Sequence, residues 1–427
     1  MRKTAIIITD KNNREMMFAI NFLIDKNPHV KIISASTLID IDAVHRIAFS
    51  GPKQNYLSGK FGMIIRMLIR SPNTLMRKIK LIGIYQNKGI LKIIFHIILY
   101  YLRDVLRLGL TYDFYIKNIV PSFKMENFSI SDFDKVIYCP STLDDMGEMI
   151  LKQFLLKNVS IYCWIYSWDN IYKTNQVLKS ADKFIVWNQI LKSDLSDLYK
   201  IIPEKIEICS PLQFRYISDF NKIKKISRPK KQVMYICCGG VEDKVIDINA
   251  INEISLILDS IDKDFKLLVR LYPNVIYTED EKNQIQLIGN VNIFDSTILP
   301  QIKPYMDVKL MQIHESKIII NIGSTFILEA AHISNEIIQM AYLPNFKGVS
   351  KKYKNILKYE HINKMLNVED NSFLVKNRRE LTAAILKKLK YNVYKESNEN
   401  SIFFLKNITN QLQEQEFGDR FLQIVIE

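Results

Sequence analysis

The sequence predicts an α/β protein with two doubly wound domains, each built on a parallel sheet that is covered by helices. Three observations support this fold class. Short apolar runs alternate with helical stretches along the chain, which is typical of parallel strands joined by helical crossovers. The chain has 427 residues, about twice the length of an ordinary domain. A basic stretch at 220–232 with few apolar residues separates two such series, so we expect two facing domains with a cleft between them.

The first domain is expected over residues 1–215. It opens with a β-α-β unit, and the alternation of strands and helices resumes after a basic insert at 57–110. The predicted strands lie at 4–9, 30–36, 135–140, 160–166, 183–187 and 205–210, with helices near 13–26 and 143–157 and further helices after 166 and 187.

The second domain is expected over residues 233–395, after a linker at 216–232. Its apolar runs predict strands at 233–240, 266–273, 291–294, 317–325 and 336–342, with helices at 247–260 and directly after 325. The remaining residues, 396–427, contain an amphipathic pattern at 401–415 that predicts a C-terminal helix.

The cysteines and the N-terminus indicate the compartment. Five cysteines without CxxC spacing favour small buried side chains in a reducing compartment over a disulfide framework or a zinc site. The first apolar run has about five residues, too few for a signal peptide, so we expect a cytoplasmic protein. The five positions are Cys139, Cys163, Cys209, Cys237 and Cys238.

The insert at 57–110 carries much of the net charge of +14. Between Lys60 and Arg107 there are ten Lys or Arg residues and one acid, Asp104. Its longest apolar run, near His96, is about a dozen residues and too short to span a bilayer of ~30 Å. We expect the insert to lie on an anionic membrane surface. The alternative is that its apolar side packs on the first domain and leaves a solvated basic face. Nucleic-acid binding is disfavoured because few stacking aromatics accompany the charges.

The stretch "NIGSTFILEAAHIS" at 321–334 is the strongest candidate for a ligand site. A strand runs into Gly323, Ser324 and Thr325, and a helix follows at once, so free amides and hydroxyls can bind a phosphate. Glu329, one turn later, can accept a hydrogen bond from a ribose hydroxyl. The alternative is an ordinary Ser/Thr cap with a surface glutamate behind it.

Two further turns are candidates for the same ligand. Gly239 and Gly240 follow a strand and can bring the main chain close to a diphosphate, although the GxGxxG pattern is absent and a plain tight turn is the alternative. Arg270 lies near the carboxyl end of the strand in "LLVRLYPN", and its planar guanidinium suits phosphate. The alternative there is a surface arginine paired with an acid.

These stretches resemble a known family. "VRLYPN", with Arg270, Tyr272 and Pro273, and "HESKIIINIGSTFILEAA" resemble the C-terminal nucleotide-binding domain of GT-B glycosyltransferases. The nearest groups are bacterial surface-polysaccharide enzymes and CDP-glycerol glycerophosphotransferase-like enzymes. "SWDN", "ADKFIVWN" and "KIEICSPLQF" are similar to the end of the N-terminal domain of that group. The resemblance covers roughly 135–345. It departs from the family pattern at Tyr272, where His is usual, and at Glu315-Ser316-Lys317, where an Ala-Asp pair is usual.

The resemblance implies two facing Rossmann-like domains, with the nucleotide-sugar donor on the second and the acceptor on the first. It implies that no metal is needed, that the nucleotide sugar is a substrate rather than a cofactor, and that the last helix crosses back to the first domain. "DID" at 40–42 resembles a metal-binding DxD step, but a helix cap is favoured there.

A general base is needed to remove a proton from the acceptor hydroxyl. Asp169, in the polar tip "SWDN", is the first candidate, and Asp144 and Asp145 follow the neighbouring strand. Each has an ordinary alternative role at a helix N-terminus. His314 is expected at an exposed helix end, and its catalytic role is left open.

The function predicted from these residues is transfer of a sugar from a CMP-, CDP- or UDP-linked donor to a glycan or lipid-linked acceptor. Surface polysaccharide or lipopolysaccharide assembly is the expected context, at the inner face of the membrane. Two alternatives stay open. One is transfer of glycerol phosphate from CDP-glycerol, and the other is a catalytically silent, membrane-associated binding module.

Overall fold

A computed structural model describes most of the chain. Two compact units emerge from it, one comprising Met1–Arg215 with Asn410–Glu427 and the other Tyr216–Thr409. The described residues are 3–8, 14–34, 46–48, 68–70, 74, 94, 98, 101–106, 108–122, 129–140, 145–173, 176–223, 231–238, 244–272, 275–295, 301–333, 336–345, 358–366, 373–390, 406, 408–409 and 416–426.

The first unit contains a seven-stranded parallel sheet in the order β3-β2-β1-β4-β5-β6-β7. Its central strands are short and apolar, and they are buried along their whole length, as expected for a sheet with both faces covered. The strands are β1 Thr4–Ile7, β2 Val30–Ser34, β3 Arg46–Ala48, β4 Lys135–Tyr138, β5 Ser160–Trp164, β6 Lys183–Val186 and β7 Ile206–Ile208.

Helices connect these strands. The side chain of Asn188 caps α5 by accepting a hydrogen bond from the Leu191 amide, and Lys200 ends that helix in a left-handed conformation. The helices are α1 Arg14–Lys26, α2 Tyr112–Phe114, α3 Asp145–Leu156, α4 Asn170–Lys173 and α5 Gln189–Tyr199. Helix α6, Arg215–Ile223, begins at the last residue of this stretch of the first unit, and its other residues belong to the second unit. Two π-helical turns, Tyr101–Val105 and Tyr115–Ile119, lie before and after α2.

The second unit contains a six-stranded parallel sheet in the order β10-β9-β8-β11-β12-β13. Its strands are β8 Gln232–Ile236, β9 Lys266–Arg270, β10 Val291–Phe294, β11 Ile318–Asn321, β12 Ile337–Met340 and β13 Leu374–Val375. Its helices are α7 Lys244–Ile261, α8 Glu279–Gln286, α9 Ile302–Glu315, α10 Phe326–Ala330, α11 Glu360–Leu366 and α12 Arg378–Lys390.

Both sheets have the same topology. The first strand of each unit is central, the chain builds outward on one side, and it then returns to add strands on the other side. The direction switches between β1 and β4 in the first unit and between β8 and β11 in the second. Ligands of open α/β sheets bind at the carboxyl edge beside such a switch point. In the second unit the register puts Arg270, Ile236 and Asn321 in one row at that edge.

The structure contains several elements that the sequence-based expectation lacks. Strands β3 and β13 were not predicted, because two or three residues carry no periodicity. Helices α8, α9 and α12 were also not predicted. Residues 216–223, expected to be part of a linker, belong to α6, whose polar residues lie among apolar ones at helical spacing. Of the helix predicted at 401–415, only residues 406, 408 and 409 lie within the described ranges, and they are helical.

The C-terminal helix α13, Asp419–Ile426, packs within the first unit. Its last turn has backbone carbonyls without intrahelical partners, and the first unit supplies donors for two of them. Thr4 Oγ1 donates to the Val425 carbonyl at 3.1 Å, and Lys135 Nζ donates to the Ile424 carbonyl at 2.8 Å. The centre of the Phe421 ring lies 4.8 Å from the centre of the Trp164 ring.

Arg215 holds the entry to α13. Its buried guanidinium pairs with Asp419 at 2.7 Å and with Glu416, and it lies 4.4 Å from the centre of the Phe22 ring. Removal of one partner from a buried ion pair leaves the other charge without compensation.

We expect Arg215→Ala to destabilise the first unit by about 3 kcal/mol, because both carboxylates lose their partner. Urea denaturation measures the change. The matched control is Arg420→Ala, whose guanidinium is more exposed and lies 3.7 Å from Glu207, and it should shift the midpoint little. Equal losses for the two variants would contradict a specific role for Arg215.

Candidate functional site

The turn after β11 has a conformation that strongly favours glycine. Gly323 has a φ of 96°, in the left-handed region, and a Cβ there would lie 2.9 Å from Ile362 Cδ1. The fully buried side chain of Asn321 fixes the turn, since its Oδ1 accepts a hydrogen bond from the Gly323 amide at 3.1 Å. The turn is therefore preformed.

The residues after Gly323 present backbone donors. Ser324 and Thr325 are half-buried, and their backbone N–H groups form no hydrogen bond within the described part of the chain. Ser324 Oγ accepts from the Phe326 amide at 3.3 Å, whereas the Thr325 side chain makes no capping bond. Helix α10 has five residues, so the donors lie in the turn itself. Capping therefore involves only the serine, and phosphate binding here remains a prediction.

Glu329 is not a surface residue, so the alternative of an exposed glutamate behind the cap is wrong. Its carboxylate is buried and lies 2.6 Å from Lys309 Nζ on α9, which is itself buried. The Lys309 ammonium also lies 4.9 Å from the ring centre of Phe326 and 5.5 Å from that of Tyr216. This ion pair ties α10 to α9 within the second unit. A bond from Glu329 to a ribose hydroxyl remains a prediction.

Arg270 is also buried, which overturns the alternative of a surface arginine paired with an acid. It ends β9 and is 3% exposed. Nη1 donates to Gln312 Oε1 on α9 at 2.5 Å, and the guanidinium lies 5.0 Å from the Phe294 ring centre and 5.2 Å from that of Tyr305. Among the described residues, no carboxylate pairs with Arg270, and no acceptor meets its Nη2 atom.

A second buried donor lies in the same row of the sheet. Asn321 Nδ2 has no hydrogen-bond partner in the described part of the chain. Its identity as the amide nitrogen is fixed, because the other side-chain atom accepts from Gly323. Arg270 and Asn321 thus present two buried N–H groups without acceptors at the carboxyl edge beside the switch point.

The exit of β8 is fixed by Asp247 of α7. One carboxylate oxygen accepts from the Tyr235 hydroxyl at 2.7 Å and from the Cys238 amide at 3.0 Å. Burial, together with this carboxylate, raises the pKa of Tyr235 and of the Cys237 thiol. Neither group can therefore release a proton near neutral pH, and both act as packing elements.

Other predicted donor-site residues have varied placements. Gly239, Gly240 and Pro273 lie outside the described residues. Tyr272 is half-buried, packs against the core of the second unit, and its carbonyl accepts from the Val275 amide. Lys244, at the start of α7, donates to Glu281 at 2.6 Å and to the Ile276 carbonyl.

In the first unit, Asp169 follows β5 and is half-buried. Its Oδ1 accepts from the Ser167 hydroxyl at 2.7 Å, and its carbonyl accepts from the Tyr172 amide. Asn170 beside it is fully buried, and neither polar atom of its side chain has a partner among the described residues. Asp145 begins α3, whereas Asp144 lies outside the described residues. The role of these carboxylates as a base remains a prediction.

Glu148 is the most buried carboxylate near these candidates. It accepts hydrogen bonds from the Tyr112 hydroxyl at 3.2 Å, the Tyr115 hydroxyl at 3.0 Å and the Gln176 amide at 3.2 Å. The sequence places Glu148 one turn into a helix but gives no sign of its tyrosine partners, which lie 33 and 36 residues away.

His314 is buried, so the expectation of an exposed helix end is wrong. It lies in the last turn of α9, a helix that Pro304 and mixed polarity hide in the sequence. The same helix carries Lys309 and Gln312, which sequence reasoning missed.

Within the described ranges, no group of three His, Cys, Asp or Glu residues is arranged to bind a metal ion. A search of those ranges also finds no helix with the length and apolarity that a membrane span requires.

Comparisons with known proteins bear on the fold. No protein-family model matches the chain, and no curated protein matches it. Among solved structures, the UDP-GlcNAc 2-epimerase from Methanocaldococcus jannaschii is similar, with a TM-score of 0.50 and 13% identity, over 99% of each chain. This likeness shows the fold: the α/β class with two Rossmann-like domains, known as GT-B.

Two further structures have lower scores. The UDP-GlcNAc 2-epimerase from Neisseria meningitidis, bound to UDP-GlcNAc, has a TM-score of 0.49 and 10% identity, over 97% of this chain and 99% of that one. WaaG, a glycosyltransferase involved in lipopolysaccharide biosynthesis, has a TM-score of 0.42 and 11% identity, over 99% of both chains.

A half-buried histidine, His332, follows α10 and contacts a threonine of the second unit. His332 Nε2 lies 2.6 Å from Thr409 Oγ1. Burial of the imidazole, together with the nearby Lys406 ammonium, lowers the pKa of His332 to about 3. The ring is therefore neutral in the folded protein, whereas an unfolded histidine has a pKa of about 6.5.

We expect the unfolded chain to bind one more proton than the folded protein at this site between these two pKa values. The contribution of His332 to stability is complete above pH ~6.5 and falls as the pH drops towards 3. Thermal denaturation at pH 7.5 and 5 measures this. The midpoint of His332→Gln should fall less between the two pH values than that of the wild type, while His29→Gln follows the wild type. The same pH dependence in all three proteins would contradict the assignment.

Proposed function

We propose that the protein is a glycosyltransferase that transfers a sugar from a nucleotide-activated donor to a glycan or lipid-linked acceptor. The observation that carries the proposal is the buried guanidinium of Arg270. A buried cation without a counter-charge is unfavourable, and no carboxylate of the described residues pairs with this one. The phosphates of a donor would supply the missing anion, and the planar fork would stabilise the charge of the leaving nucleoside diphosphate.

The neighbouring strands support a diphosphate at this edge. Arg270 and Asn321 end strands on either side of β8, so their Cα atoms lie two strand spacings apart, roughly 10 Å. A diphosphate that bridges this distance would receive donors from Arg270 at one end and from Ser324 and Thr325 at the other. Between these ends, Gly239 and Gly240 would bring the main chain close to the diphosphate. Tyr272 and Pro273 would form the turn beside Arg270. Glu329 would accept a hydrogen bond from a ribose hydroxyl.

The names of the similar structures guide the choice of nucleotide. Two are UDP-GlcNAc 2-epimerases and one is a glycosyltransferase, so UDP is the first nucleotide to test, followed by CDP and CMP. CDP also covers the alternative of glycerol phosphate transfer. We assign the donor to the second unit and the acceptor to the first, where Asp169 would remove the proton and Asp144 and Asp145 are alternatives. The acceptor would be met at an anionic membrane surface through 57–110.

We expect UDP, or another of these nucleotides, to raise the melting temperature of the wild type. Arg270→Ala should weaken that binding roughly 30-fold, the effect of losing a hydrogen bond to a charged group. Gln312→Ala should weaken it less, because the guanidinium remains but is no longer oriented. Uridine without phosphate should bind all variants equally. Arg379→Ala, an exposed arginine of the same unit, is the control.

Two results would contradict the donor site. If no nucleotide shifts the melting temperature of the wild type, the protein is a silent module. If Arg270→Ala binds the nucleotide as tightly as the control, the phosphates lie elsewhere.

We expect Asp169→Asn to lower the turnover number roughly 10²- to 10⁴-fold, the usual contribution of a general base, with nucleotide affinity unchanged. Release of nucleotide from the donor identified above, with and without a membrane extract as acceptor, measures it. Asp197→Asn, at an exposed position on α5, is the matched control. Turnover at the wild-type rate in Asp169→Asn would pass the role to Asp144 or Asp145. Conversion of the donor sugar without any acceptor would instead indicate an epimerase.

A further inference from the structure

Seven large apolar side chains are exposed in one stretch of the first unit. Their exposed fractions range from 41% to 71%, whereas the sheet of that unit is buried. We call these residues the apolar face, and they are Ile94, Ile98, Tyr101, Leu102, Leu106, Leu108 and Phe114.

Four of these residues recur in the sequence at the spacing typical of one helix face. Ile94, Ile98, Leu102 and Leu106 follow one another at intervals of four residues, and 94 and 98 are helical. In the π-helical turn the Leu106 amide donates to the Tyr101 carbonyl at 3.0 Å, which stacks these two exposed residues. Arg103 in the same turn is 3% exposed. The turn thus buries Arg103 and exposes Tyr101 and Leu102, the reverse of a solvated surface helix.

The segment that follows Leu108 in the chain is anchored to the first unit by several hydrogen bonds. Tyr112 and Tyr115 are buried and donate to Glu148, and Lys152 Nζ donates to the Val120 carbonyl at 2.5 Å. Asp113 accepts from the Lys179 and Ser180 amides at 2.9 and 2.7 Å. These seven side chains are therefore exposed next to an anchored segment, whereas Ile69 of the insert is buried.

The net charge of the sequence stretch that contains five of the seven residues favours one kind of partner. Residues 60–107 carry ten Lys or Arg and one acid, a net charge of +9. A second copy of the chain would bring a second cationic segment to the same surface, which is unfavourable. An anionic lipid surface suits both the apolar side chains and the positive charge. Apolar side chains enter the acyl region of such a surface, while Lys and Arg contact the lipid phosphates.

We propose that the apolar face inserts into an anionic membrane surface. The inference rests on the proposed function only in that it identifies where the protein would meet a lipid-linked acceptor. The π-helical turn would enter the membrane with Leu102 and Leu106 foremost. Exposed Arg70, whose Nε donates to the Gly109 carbonyl at 2.6 Å, and exposed Lys117 lie in the flanking segments.

Flotation with vesicles of phosphatidylglycerol and phosphatidylcholine tests the proposal. The wild type should float at low salt, be released at high salt, and float poorly with phosphatidylcholine alone. Leu102→Asp and Leu106→Asp should each lower the partition coefficient roughly tenfold or more, since each substitution replaces a leucine that would insert into the lipid by a charged side chain. The matched control is Leu156→Asp, at an exposed leucine on α3 that is 56% exposed, and it should float like the wild type.

Three outcomes would overturn the inference: no flotation of the wild type with anionic vesicles, equal flotation with neutral vesicles, or wild-type flotation of both aspartate variants. A dimer in sedimentation that Leu106→Asp dissolves would also overturn it, and would assign the apolar face to a second copy. Thermal shifts with nucleotide, recorded without vesicles on the same variants, report folding and donor binding separately. A failed donor site and a failed membrane contact therefore give different results.

Discussion

The parallel direction of the strands is the constraint on which the candidate site depends. Every strand of a doubly wound sheet ends at the same edge, and the switch of direction between β8 and β11 leaves room there. Arg270 at the end of β9 and Asn321 at the end of β11 are brought into one row by this geometry, although they lie far apart in the chain. The left-handed turn at Gly323 then exposes two amides beside that row.

Two buried cations of the second unit show how differently such charges are accommodated. Lys309 pairs with Glu329 between two aromatic rings, so its charge is compensated by the fold. Arg270 contacts the Gln312 amide, Phe294 and Tyr305, and no carboxylate of the described residues compensates its charge. Both cations depend on α9, which makes that helix the common support of the candidate site.

The first unit uses its polar groups to anchor segments that are distant in sequence. Arg215 and Lys135 bind the C-terminal helix α13, and Glu148 binds the tyrosines of the turns around α2. Of these anchors, Glu148 holds the segment that follows the exposed apolar residues near the π-helical turn Tyr101–Val105.

The sequence by itself determined the alternation of strands and helices, and with it the doubly wound class, the positions of most strands, and the turns at Arg270 and Gly323. These features follow from local periodicity and from residue types that few conformations accept. Only the tertiary structure decided that Arg270, Glu329 and His314 are buried, that Gln312 and Lys309 support the site, and that strands as short as β13 join the sheet. Arg270 and Gln312 are 42 residues apart, and a contact over such a separation leaves no periodic trace in either segment because it depends on how the helices pack on the sheet.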